Sequence, residues 1–386
     1  MPRSAMGNRS RARTLAQVYR RFAEVDAAET SALYERVAIA LSESDEALRA
    51  IETAPARKRH PTMILAALHD LALTGRAPAL ATAYAASGTT TAANADASAE
   101  ADAAATAGAS VGGDAAARAA IDALLRMTDS VVAIAARRRT RSDETGRCAV
   151  LYPAIAEAAR RVGASAVGLI DVGCSAGLNL NVDRVGITYS DGRLLGDASS
   201  PVQQSCSLVG ERPVPAQAMP EVVTRIGIDV DPVDVTDPDE ARWLRACLPP
   251  DQPERIARLE AELALAATAP PLLLQGDAVE LLPDALSRVP ADVLPVVTTT
   301  WALSRFSLED RLRFLHRLDE AATGRTVAWV SAEGVGVAPA IPTFGDRRAS
   351  GHSVIGLALF DHSSLRAEGL GRCWSRGRLL AWLAGS

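Results

Sequence analysis

Leu169-Ile170-Asp171-Val172-Gly173-Cys174-Ser175-Ala176-Gly177-Leu178-Asn179 runs from an apolar strand into an acid, then a turn of small residues, then a new helical start. A ligand reaches backbone N–H groups only where side chains are absent, and glycine supplies the left-handed dihedrals that such a turn demands. Against the dinucleotide pattern G-x-G-x-x-G the match is poor, because Ser175 and Leu178 fill the second and third glycine positions. Against D-x-G-x-G-x-G only Ser175 departs. A serine held left-handed costs about 1–2 kcal/mol, which predicts that the loop bends differently there. By itself the stretch reads equally well as an ordinary strand-to-helix turn.

Outward from this loop the pattern is that of a parallel sheet covered by helices. Short apolar runs alternate with helical periodicity after Gly163, and strands are predicted over 166–172, 223–229, 272–275, 294–299, 326–332 and 353–360. The fold class expected is α/β, a doubly wound Rossmann-like sheet over 151–386. Upstream, apolar residues recur at helical spacing from Ala16 to Ala83 and again from Ile121, which predicts an N-terminal helical cap domain over 1–150. Within it, 85–120 is nearly all Ala, Thr, Ser, Gly and Asp; with almost no large apolar side chains to bury, it is expected to be a disordered insertion. The stretch 181–220, rich in Gly, Pro and Ser, exceeds what a crossover between the first two strands needs and is expected to form a lid or substrate wall.

Two further acids fall at predicted strand ends. Arg225-Ile226-Gly227-Ile228-Asp229 closes the second strand, and Leu272-Leu273-Leu274-Gln275-Gly276-Asp277-Ala278 the third. Taken singly, Asp229 and Asp277 read as helix N-caps. Taken with Asp171, they line the carboxyl ends of successive strands, where open parallel sheets bind ligands; a carboxylate there accepts ribose hydroxyls or an adenine amino group.

Composition narrows the partners. The 386 residues carry 41 basic and 46 acidic side chains, a formal charge of -5, so no global positive field draws the chain to nucleic acid or anionic lipid. Aromatic residues at 4% are too few for a base-stacking surface, and nucleic acid is not an expected partner. No apolar run is long enough to span a bilayer, so no membrane partner is expected. Five cysteines without a C-x-x-C pair, and five scattered histidines, indicate neither a metal site nor a disulfide framework. Reduced thiols fit a cytoplasmic protein.

The chain from about Tyr152 onward resembles class I S-adenosylmethionine-dependent methyltransferases. More narrowly, it is similar to a family of uncharacterised bacterial proteins, a domain of unknown function common in actinobacteria. Carrying that likeness are Thr145-Gly146-Arg147-Cys148, the glycine loop, Asp231-Pro232-Val233-Asp234, Gly276-Asp277-Ala278, Thr299-Thr300-Trp301-Ala302-Leu303 and Gly377-Arg378-Leu379-Leu380-Ala381-Trp382. The resemblance implies that Asp171, Gly173, Cys174, Ser175, Gly177 and Asn179 hold the methionine and ribose portion of the cofactor. It gives Asp229 the ribose hydroxyls, and Asp277 with Ala278 the adenine edge. The 58 residues from Asp171 to Asp229 depart from the ~20 of a plain nucleotide-binding crossover.

The function expected is methyl transfer from S-adenosylmethionine to a small-molecule acceptor; the alternative is a non-catalytic protein that keeps the fold to bind a nucleoside or a partner. The fourth strand end lacks the Asn/Asp-Pro-Pro-Tyr/Phe motif that cradles an amino group. Candidate acceptor-site residues are Thr299 and Trp301, with Arg141, Glu144 and Arg147 from the polar cluster before the loop. No catalytic residue is assigned, although His352, Asp361 and His362 are considered for proton handling. The acceptor and the oligomeric state are not fixed by the sequence.

Overall fold

Capping side chains punctuate the N-terminal helices. The Thr14 hydroxyl accepts from the Gln17 N–H while the Gln17 side chain accepts from the Thr14 N–H, which starts α1 (Leu15–Arg21). Ser31 and Ser44 cap α2 (Ala32–Glu43) and α3 (Asp45–Glu52), and α4 (Pro61–Leu73) opens on a proline, where no donor is missed. There follow α5 (Pro78–Ala93), α6 (Ala99–Arg126) and α7 (Thr128–Arg137). The computed structural model describes residues 14–93, 99–141, 146–362 and 364–385.

The chain divides into two compact units, Met1–Asp143 with Arg242–Ala257, and Glu144–Ala241 with Arg258–Ser386. In the first, the low-complexity stretch expected to be disordered is helical within α5 and α6, with 94–98 outside the described residues. Alanine has the highest helix propensity, and its short side chain lets helices approach closely. Ala116, Ala117 and Ala120 are accordingly buried with Val37, Leu41 and Leu68.

A later piece of chain completes this unit. Trp243 is 1% exposed among the helices, and its indole N–H donates to the Arg139 carbonyl at 2.7 Å. Asp251 accepts from the Ser31 hydroxyl at 2.7 Å and the Leu33 N–H at 3.0 Å, so it caps α2 from more than two hundred residues away. Arg242 donates to Asp70 at 2.9 Å.

The second unit is a mixed α/β body around a large, mostly parallel sheet. Its strands are β1 (Ala166–Val172), β2 (Gly186–Tyr189), β3 (Leu194–Gly196), β4 (Gln203–Leu208), β5 (Glu221–Asp229), β6 (Leu272–Gln275), β7 (Leu294–Thr300), β8 (Val327–Gly334), β9 (Ser353–Asp361), β10 (Ser364–Trp374) and β11 (Leu379–Trp382). Its helices are α8 (Cys148–Val162), α9 (Pro238–Ala246), α10 (Pro253–Thr268), α11 (Ala278–Ser287) and α12 (Leu308–Ala321), of which α9 and α10 each cross from one unit to the other along the chain. The sequence boundary at 150 falls inside α8.

The strand order is β3-β2-β4-β11-β10-β9-β8-β7-β1-β5-β6. Strands β6, β5, β1, β7 and β8 are parallel neighbours, and β9 and β10 turn the sheet antiparallel. The parallel strands read as continuous apolar runs because both faces are covered. Leu169, Val296 and Val330 pack with α8 on one face; Ile170, Val297 and Trp329 pack with α11 and α12 on the other. The 181–220 stretch forms no loop-like lid along its whole length: β2, β3 and β4 extend the sheet, with β4 parallel to β11. Tyr152 anchors its far end by accepting from the Met219 N–H at 3.0 Å. Among the described residues, no helix is long and apolar enough to cross a membrane.

Replacing Trp243 with Ala removes a buried indole from the helical core. Chemical denaturation should show a loss of about 3–5 kcal/mol; a loss under about 1 kcal/mol would mean that 242–257 is not part of that core.

Candidate functional site

Progression through the sheet reverses at β1: chain order runs outward through β5 and β6 on one side and through β7 and β8 on the other. Ligands of open parallel sheets bind outside the carboxyl ends of the strands at such a reversal. Here the register places Asp171 beside Gly227 and Thr298, and Asp229 beside Gln275.

The loop after β1 carries Gly173, Ser175 and Gly177 in the left-handed region, at φ 74°, 51° and 68°. Ser175 therefore adopts the conformation that its side chain was expected to avoid. Two contacts explain how the strain is held. The Ser175 N–H donates to Asp229 at 3.0 Å, and the Gly173 N–H to the Ile228 carbonyl at 2.8 Å, so both are drawn onto the end of β5. At Gly173 a Cβ would stand 2.9 Å from the Ala302 methyl, which leaves no room for a side chain.

Asp229 is buried, and its other oxygen accepts from the Asp231 N–H at 2.9 Å. It thus staples the loop to its own strand end. Asp277 is exposed and caps α11 through one oxygen, accepting from Val279 at 2.9 Å and Glu280 at 3.2 Å; Ala278 is the buried first residue of that helix. Cys174 is fully buried, and burial raises no role for its thiol at the surface of the loop.

Asp171 is 1% exposed and accepts from the Thr298 hydroxyl at 2.7 Å and from the Asn179 amide at 3.4 Å. Burial pushes its carboxyl up to about 6, against the opposing pull of Thr298, Arg147 and Asn179. Arg147, at the N-terminus of α8, is 5% exposed. It donates to the Thr300 hydroxyl at 3.0 Å and carbonyl at 3.3 Å, and its guanidinium lies 5.1 Å from the centre of the Trp301 ring. Its Nε, though buried, has no hydrogen-bond partner among the described residues. Gly377 makes this possible: a Cβ there would meet the Gly146 carbonyl at 2.9 Å and crowd the Arg147 backbone.

One buried acid was missed by sequence reasoning. Glu333, 1% exposed at the end of β8, accepts with one oxygen from the Ala302 and Leu303 N–H groups, both at 3.0 Å; its second oxygen is buried without a partner. Burial pushes it up to about 7, against the two amide bonds and the charges of Arg311 and Arg147. The rule that selected Asp171, Asp229 and Asp277, an acid closing a parallel strand, selects Glu333 as well once β8 is extended past Ala332.

The β7 residues are displaced by one from expectation. Thr299 accepts from the Trp329 indole N–H at 3.0 Å inside the core, whereas Thr298 and Thr300 face Asp171 and Arg147, as the two-residue period of a strand requires. Trp301, left-handed at φ 54°, remains at the site and donates its indole N–H to Ser353 at 2.8 Å. Arg141 belongs to the helical unit, where its N–H meets the Cys247 sulfur at 3.4 Å; Glu144 lies outside the described residues. His352 is bound to Asp346 at 2.8 Å, which Arg372 also grips, and Asp361 with His362 ends β9 beside the start of β8, at the amino ends of the parallel strands. No group of three or more metal-ligating side chains occurs among the described residues.

These features define an α/β protein with a polar, partly unsatisfied cluster at the carboxyl ends of its parallel strands. A family model described as an uncharacterised protein conserved in bacteria, DUF2332, matches residues 16–113 and 97–382, and the chain belongs to that family. No curated protein and no solved structure matches it.

Two measurements test this description. Ser175→Gly should stabilise the protein by about 1 kcal/mol by relieving the left-handed strain; a loss in thermal melting would mean the buried hydroxyl outweighs it. For Glu333, the folded chain between pH 4.5 and about 7 holds a proton that the unfolded chain has released, so stability falls as pH rises through that window. Asp171 adds the same trend between 3.8 and about 6. Denaturation curves from pH 5 to 8 should show this decline in the wild type and a shallower one in Glu333→Gln; equal slopes would refute the assignment.

Proposed function

We propose that the sheet unit is a Rossmann-like, methyltransferase-like domain that binds S-adenosylmethionine and transfers its methyl group to a small molecule. The observation that carries the reading is the joining of the glycine loop to Asp229, which sets a tight small-residue turn and a strand-end carboxylate together at the reversal of the sheet. Asp171 and the β6 end, with Gly276 donating to the Asp229 carbonyl at 2.9 Å, adjoin the same place.

The residues present fit such a cofactor in three respects. The Ser175 hydroxyl is buried without a partner among the described residues. Each Asp229 oxygen has one backbone donor and retains lone pairs for ribose hydroxyls. Asp277 spends only one oxygen on its cap, which leaves the other for an adenine amino group. The cofactor, when bound, supplies an activated methyl group on a sulfonium. The chain's own contribution is alignment, worth up to about 7–11 kcal/mol of barrier in well-oriented reactions. Asp171 and Glu333 are the buried acids near enough to neutral pH to hold or take up a proton there.

Titration calorimetry with S-adenosylmethionine and S-adenosylhomocysteine tests this. Both should bind the wild type, and Asp229→Asn, which matches the carboxylate in size but can accept from only one of the Ser175 and Asp231 N–H groups, should weaken them at least about tenfold, or 1.4 kcal/mol. Absence of heat with the wild type would overturn the reading. Binding without transfer of labelled methyl to any small-molecule fraction of a cell extract would favour the non-catalytic alternative.

A further inference from the structure

Arg147 is a buried cation that forms no ion pair with the described residues. Of the oxygens it meets, both belong to Thr300 and are neutral, and among the described residues no carboxylate lies within ion-pairing distance of it. Burying an unpaired charge is costly, and proteins keep one only where a ligand or a nearby field compensates. Two acids supply part of that field. Asp171 and Glu333 both feel Arg147 electrostatically, yet Asp171 is engaged by Thr298 and Asn179, and Glu333 by the Ala302 and Leu303 amides.

The first turn of α8 points the same way. It has no acidic residue, and the side chain of Arg147 does not cap it, so the leading N–H groups of the helix that Arg147 opens carry partial positive charge. The Nε of Arg147 is buried and unbonded among the described residues, and the guanidinium carbon lies over the Trp301 ring. A flat fork of donors with one face stacked is suited to an oxyanion in its own plane.

We infer that Arg147 and the N-terminus of α8 form a carboxylate-binding subsite at the carboxyl ends of β1, β7 and β8. A monoanion suits it better than a dianion, because Asp171 and Glu333 already place negative charge nearby and every added charge increases the repulsion. The carboxylate has two possible sources, the aminoacyl part of the proposed cofactor or the methyl acceptor. Assigning it to either rests on the cofactor reading; the subsite itself does not.

Anion binding also couples to protons. The charged and titratable groups acting on the subsite are Asp171 with Asp229 behind it, Glu333 with Arg311 behind it, and the Cys148 thiol, which burial and the charges of Glu262, Asp171 and Asp183 raise far above neutrality and keep uncharged. Lowering the pH from 8 to 6 protonates Glu333 and part of Asp171, which removes the repulsion and strengthens binding.

Acetate is the probe, added at constant ionic strength against chloride, with thermal melting as the readout. In the wild type, acetate should raise the melting temperature saturably, more strongly at pH 6 than at pH 8 and more than inorganic phosphate does. Arg147→Gln should abolish the saturable shift, and Arg147→Lys should weaken it about tenfold. No saturable shift in the wild type, an equal shift in Arg147→Gln, preference for phosphate, or equal affinity at both pH values each overturns the proposal; the wild-type measurements stand even if a variant does not fold. The source is then read from S-adenosylhomocysteine at saturation. Loss of the acetate response assigns the carboxylate to the cofactor, provided 5′-methylthioadenosine, which lacks that group, leaves it intact. A response that persists assigns it to the acceptor. Failure of the nucleosides to bind at all sinks the cofactor reading and leaves the acetate result untouched.

Discussion

A single oxygen of Glu333 receives two backbone N–H groups, and the turn that follows β7 hangs on it. That turn carries Trp301 in a left-handed conformation, which a bulky side chain adopts only when its surroundings enforce it. It also brings the Ala302 methyl against Gly173 and puts the indole under Arg147. Three parts of the site, contributed by β1, β7 and the segment before α8, therefore share one anchor at the end of β8. Removing its charge changes their energetics without removing the acceptor oxygen, because a carboxylic acid or an amide can still receive both N–H groups.

Much of this architecture can be read from the residues. The parallel strands are continuous apolar runs bounded by acids or glycines, and they fall where that pattern puts them. The hidden strands have a physical reason for being hidden. β2, β3 and β4 are short and alternate weakly, as in Gln203-Gln204-Ser205-Cys206, and β4 joins them to the sheet by pairing with distant β11, which no local pattern announces. Helix in the alanine-rich stretch was legible from propensity and was overruled by the lack of bulky side chains; the partner helices accept small ones.

The site was legible in its acids and misread in its details. Asp277 is both exposed and a cap, so its identity at a strand end did not reveal how many of its lone pairs were already used. In β7 the run Thr298-Thr299-Thr300 offers three similar side chains, and only the pleat decides which two face Arg147 and Asp171. Sequence spacing identifies the strand end; the phase of the strand needs a neighbour, here Trp329, to settle it. Ser175 shows the converse. The cost of a left-handed serine points to a different bend, whereas the structure keeps the bend, and the acceptors at the end of β5 that hold it lie far away in the chain.

The return of 242–257 to the helical unit sets the order in which the protein can be finished on the ribosome. Helices made first stay incomplete until Trp243 and Asp251 have been synthesised and have left the exit tunnel, a delay of about a hundred residues beyond α7 at about 5–20 residues per second. During those seconds the apolar surface later covered by the indole is open to water and to chaperones. A nascent chain that stalls between the two segments would present that surface for as long as it is held.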